Sequence, residues 1–162
     1  PGPDVVPAIT SGTIDGTEWI GPAADLGKGL HKVCDYYYYP GWHEPGTCLE
    51  AFINLKAWNI LDNDLKRLVE VCCMKSNSAI ASEFFSRNSF AIKKLKEEYN
   101  VNFVKYPKDL LKKLNERSEE VVHNYANKDK LGKKILKSII DYRRLFIFWS
   151  NYSEKSFLES RV

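Results

Sequence analysis

Residues 62–99 carry a single helical pattern 38 residues long. Its apolar positions, Leu65, Leu68, Val69, Cys72, Ile80, Phe84, Ile92, Leu95 and Tyr99, recur at three- and four-residue steps, the spacing of a helix. A helix in a globular domain averages about 11–12 residues. One more than three times that length runs between lobes or along a surface, because a single compact core is not wide enough to hold it. The rest of the chain has to be arranged around this rod.

The flanking segments are short and alternate in type. Residues 4–11 read as a helix closed by Gly12, with Pro3 suited to its start. An extended piece over 13–19 follows, and Gly21-Pro22 opens a second helix over 23–33. The four tyrosines at 36–39 are strong strand formers, stopped by Pro40-Gly41. Residues 48–54, CLEAFIN, alternate in the manner of a strand with Leu49, Ala51 and Ile53 on one side. Residues 55–61 form a short helix, 101–104 a strand, 107–124 a helix, and 130–158 a last helix. In that last helix Ile135, Ile139, Tyr142, Phe146, Trp149 and Tyr152 form a narrow stripe that can pack on its own domain or on another chain. Strands alternating with helices give an α/β fold. Its organisation divides into residues 1–61, with the motif-bearing turns, and 62–162, long helices with one short strand.

Composition narrows the function classes. A 44% hydrophobic share is enough to bury a core, and no run reaches the roughly 18 apolar residues of a membrane span. The formal charge of +3 argues against a nucleic-acid binder, which needs a denser basic footprint. Residues 1–61 hold three Lys/Arg against seven Asp/Glu, so the basic excess lies in the helical half, on solvated helix faces. Cys34, Cys48, Cys72 and Cys73 contain no CxxC pair and no zinc-finger spacing. Cys72 and Cys73 read as small apolar helix residues, and a bond between Cys34 and Cys48 stays open. An opening on Pro-Gly-Pro reads as a stretch preceded by further chain.

Two acids stand out by their neighbours: Glu18 in TEWIGP and Glu44 in GWHEPG. Each adjoins a Pro/Gly turn and lies within two residues of a tryptophan, so each belongs to a loop at an element end, where α/β proteins bind ligands. Two carboxylates with backbone carbonyls nearby suit a hard cation, sodium or calcium, which needs oxygen donors and little directionality. The bound ion reverses the local sign of charge and can grip an anionic ligand. Trp19 and Trp42 would form water-excluding walls, with Tyr39 at the strand end and His43 as lesser pocket residues. Taken singly, each glutamate reads first as a surface-turn residue beside half-buried rings; it is the pair in matched contexts that brings the cation site level with that reading.

An enzyme is the competing class. Glu18 and Glu44 could be the acid and base of a hydrolase. His31 and Cys34, three apart on a helix, could form a nucleophile–base pair. No GxSxG, P-loop, Rossmann glycine set or HExxH accompanies either pair. His123 reads as solvent-facing. A third reading is a helical interaction module in the basic half.

The blocks GTID, EWIGP and YYYYPGWHEPG within residues 11–58 closely resemble the DctP-type solute-binding subunits of TRAP transporters. The nearest branch takes up 2-oxo acids and other small organic carboxylates. The resemblance implies a periplasmic-binding-protein-like fold of two α/β lobes closing on a ligand, of which this chain matches the C-terminal half. It implies a sodium or calcium ion bridging substrate carboxylate to protein, with Glu18, the main-chain oxygen of Trp19 and Glu44 as its ligands. It places the substrate-carboxylate arginine and one further cation ligand upstream of PGPDVV. It also implies a membrane permease as partner, a periplasmic location, and a homodimer surface on the C-terminal helix in some relatives.

Overall fold

The computed structural model describes residues 1–47 and 49–161, which fall into two units, Pro1–Tyr106 and Pro107–Val162. In the first unit one turn of 3-10 helix, Gly2–Asp4, leads into α1, Val5–Thr10. Residues 13–19 are irregular, without the extended strand their sequence suggested. Helix α2 is Pro22–Lys28, and a separate 3-10 turn, Leu30–Lys32, completes the stretch read as one helix. Strand β1, Tyr36–Tyr39, precedes α3, Leu55–Ile60, the long α4, Asn63–Glu97, and strand β2, Asn102–Lys105.

Capping explains several of these boundaries. Asn54 accepts the N–H groups of Lys56 and Ala57 at the start of α3, and Asp62 accepts that of Leu65 at the start of α4. Both satisfy donors that a helix N-terminus leaves without partners. Pro22 stands in the first turn of α2, where its missing N–H costs nothing.

The α/β reading holds. Strands β1 and β2 pair in parallel, with Tyr37 opposite Phe103 and Tyr39 opposite Lys105. The crossover between them carries α3 and α4. Asn102 donates its N–H to the Asp35 carbonyl, and Tyr106 donates to the Tyr39 carbonyl, which extends the ladder at both ends. The core gathers where the C-terminal turns of α4 meet α2 and the start of β2: Leu30, Ala91, Leu95 and Val101 are buried, and Leu95 is 1% exposed.

Only this end of α4 is covered within its unit. Leu65, Leu68, Met74, Phe84, Phe85 and Phe90 are exposed along the rest of it. Cys72 and Cys73, read as apolar helix residues, are exposed on the same helix. Residues 49–54 form no strand, so the alternation of CLEAFIN was misleading; Cys48, and with it the Cys34–Cys48 pairing, lies outside the described residues. Of the four tyrosines, Tyr37 is the least exposed; its ring stacks on Phe103 at 5.0 Å.

The second unit contains α5, Lys108–Ala126, α6, Lys130–Ser150, and α7, Glu154–Glu159. The helix read over 130–158 thus breaks after Ser150. Gly132 is required at the α5–α6 turn, since a Cβ there would lie 2.6 Å from the Ala126 carbonyl oxygen. Arg143 of α6 bonds Glu119 of α5 at 2.7 Å and holds that carboxyl below its usual range. The stripe residues on α6, Ile135, Ile139, Tyr142, Phe146 and Trp149, are exposed, as is Tyr152 in the turn that follows. Same-helix ion pairs such as Lys93–Glu97 and Lys112–Glu116 lie exposed on the helix faces.

Candidate metal centre

The turn after β1 and the loop before α2 converge. Glu18, His43 and Glu44 each present one donor atom such that all three atoms lie within 4.8 Å of one another, and all three residues are exposed. The His43 Nε2 stands 3.5 Å from Glu18 Oε2. Thr47 donates its hydroxyl to Glu44 Oε1 at 2.9 Å, which orients that carboxylate from its own turn. Two carboxylates this close, with no Lys or Arg paired to either among the described residues, repel each other unless a positive charge sits between them. The donor set therefore fits a cation. Its oxygens suit a hard ion, and His43 would serve as a neighbour that steadies Glu18 rather than as a favoured ligand for sodium or calcium.

Aromatic surfaces flank the cluster. Trp42 packs edge-on against the His43 ring at 5.5 Å and is 39% exposed. Trp19, next to Glu18, is half-buried: the Lys28 ammonium lies 4.9 Å from its ring centroid. Gly2 approaches the other part of the indole so closely that an added Cβ would meet ring carbon Cη2 at 2.8 Å. Tyr39 ends β1 with its ring exposed.

Sequence reasoning missed the residues that hold these loops. Asp25, buried in the first turn of α2, accepts the N–H groups of Ile20 and Gly21 on Oδ1, at 3.3 and 3.2 Å. Its Oδ2 accepts the Tyr37 hydroxyl at 2.5 Å. Asn88 of α4 accepts the N–H of Ala23 at 3.0 Å, capping α2 from a helix 65 residues away. The only local signal was an acid in the first turn after Gly-Pro.

Burial and the bond to Asp25 hold the Tyr37 phenol well above its usual range. Because that folded value exceeds the unfolded value of about 10, the stabilisation is whole below that pH and is lost as pH rises beyond it. Followed by phenolate absorbance, one of the nine tyrosines will resist ionisation until the chain unfolds, and Tyr37→Phe will remove that late step.

His31 and Cys34 do not form an activated pair. The His31 ring lies against Tyr99 with centroids 4.2 Å apart. Burial, with Lys32 and Lys94 nearby, lowers its pKa, while burial and Asp35 raise that of Cys34. Both shifts oppose a thiolate–imidazolium couple.

The family model for DctP, bacterial extracellular solute-binding protein family 7, matches residues 1–129. The chain belongs to this family. A relative, a monocarboxylate 2-oxoacid-binding periplasmic protein of Nostoc sp. (strain PCC 7120), is 29% identical over 157 residues, 97% of this chain and 43% of that protein. A TRAP transporter solute-binding protein from Bordetella bronchiseptica RB50 superposes with a TM-score of 0.93 at 27% identity, over 99% of this chain and 48% of that one. That structure is a mixed-occupancy dimer, with copurified calcium and picolinate in one active site and the other apo. The chain thus spans a little under half the length of each of these two relatives. No described helix is long and apolar enough to cross a membrane.

Proposed function

We propose that this chain supplies the cation-bearing side of an extracytoplasmic solute site. It would capture a small carboxylate, a 2-oxo acid of about pyruvate's size, in the periplasm and present it to the membrane permease of a TRAP transporter. The observation that carries the reading is the convergence of Glu18 and Glu44 from separate turns onto one point. A sodium or calcium ion held there, with the Trp19 main-chain oxygen as a third ligand, would supply positive charge for the substrate's carboxylate.

The protein's own residues do the rest. Thr47 orients Glu44, and Trp42 and the edge of Trp19 would border the bound solute, where displacing water strengthens the ion–carboxylate attraction. Tyr39 and His43 complete the wall. The relatives matched are binding proteins, and neither they nor the geometry favours a hydrolase. A homodimer through α6 accords with its exposed stripe and with the dimeric Bordetella structure.

Calorimetry tests the reading on a protein of the relatives' full length that carries this chain as its C-terminal half. Pyruvate, 2-oxobutyrate, lactate and longer oxo acids are titrated with and without chelator. Saturable binding of the short oxo acids that chelator abolishes is expected. Binding indifferent to chelator, or turnover of the ligand, overturns it.

A further inference from the structure

Asp25 is the one charged side chain buried among the described residues. An isolated buried carboxylate is costly, and three donated hydrogen bonds offset that cost here. Two of the donors, the N–H groups of Ile20 and Gly21, belong to the loop that begins at Glu18 and Trp19. The third, the Tyr37 hydroxyl, belongs to β1, which runs directly into the turn of His43 and Glu44. One carboxylate therefore ties together the two chain segments that carry the converging acids. Tyr37 is itself seated by its stack on Phe103, and α2 is seated on α4 by Asn88.

We propose that Asp25, through Tyr37, is the positioning group of the cation site, setting the separation of Glu18 from Glu44. This rests on the cation reading above. Both carboxylate oxygens are used: Oδ1 takes the two N–H groups and Oδ2 the Tyr37 hydroxyl. An asparagine could keep its amide oxygen on Ile20 and Gly21 and donate its NH2 to the Tyr37 oxygen, so deleting that hydroxyl is the cleaner way to cut the link. A capping role alone would need only the oxygen facing Ile20 and Gly21. The second oxygen, facing β1, is what links the loops.

The test titrates the chain with terbium(III), an oxygen-seeking ion whose emission is sensitised by nearby indoles, alongside thermal unfolding. Tyr37→Phe deletes one hydroxyl and keeps the ring on Phe103. Leu95→Val destabilises the core without touching the link, and Glu18→Gln and Glu44→Gln report the ligands. Tyr37→Phe is expected to weaken terbium about tenfold, while Leu95→Val stays within twofold despite a lower melting temperature. Tyr37→Phe within twofold of the unmodified chain, with Glu18→Gln and Glu44→Gln abolishing the signal, overturns the positioning role and leaves the cation reading standing. So does an equal loss in Leu95→Val. No saturable signal in the unmodified chain, or a signal that survives both glutamine variants, overturns both.

Discussion

Replacing Glu44 by glutamine will weaken calcium binding about ten- to hundredfold, and Glu18→Gln will do the same. Glutamine keeps the shape and one carbonyl oxygen, so the loss measures charge. A unit charge about 2.4 Å from a divalent ion contributes several kcal/mol even when screened as in bulk water, and a neutral amide oxygen recovers part of it. Each factor of ten corresponds to about 1.4 kcal/mol. Thr47→Ala should weaken binding less, because it frees Glu44 to rotate without removing its charge. The readout is a calcium titration followed by tryptophan fluorescence. Equal affinity in all four proteins would place the ion elsewhere.

Leu95→Ala is the most damaging single truncation expected in the first unit. Leu95 is the only large side chain that is completely enclosed among the described residues, and it lies where α4 turns into β2. The Val101 N–H bonds the Leu95 carbonyl, so the same residue also anchors the chain entering the strand. Removing the buried methyl-bearing carbons costs about 2–5 kcal/mol through lost transfer energy and the cavity left behind. Leu68→Ala, on the exposed part of the same helix at 55% exposure, should change stability by less than about 0.5 kcal/mol. Denaturant midpoints of the two variants decide the matter. A similar shift for both would mean that the packing of α4 against α2 and β2 is not what stabilises the unit.

The elements that could be read from sequence are those whose signal is local. The periodicity of α4 and the capping residues Asn54 and Asp62 identify helices without knowledge of what they touch. Four consecutive tyrosines ending at Pro40 identify β1 in the same way. CLEAFIN shows the limit. Alternation indicates a strand only when the segment is laid along a partner edge, and residues 49–54 pair with neither β1 nor β2. They stay irregular, with Phe52 88% exposed.

The candidate site divides along the same line. Glu18 and Glu44 were recognisable because Pro/Gly turns and tryptophans mark both loops in the chain itself. Asp25 was not, because its role depends on a phenol 12 residues on and a helix whose Asn88 lies far away in sequence. Whether an acid in a first helical turn is a solvated cap or a buried link depends on what packs over it, and no local pattern encodes that.

Diffraction from crystals grown with calcium gives the most direct answer about the pair of glutamates. The anomalous difference map should place one peak about 2.3–2.6 Å from an oxygen of Glu18 and from an oxygen of Glu44. A calcium peak bound elsewhere, with those two carboxylates turned apart into solvent, would contradict the account.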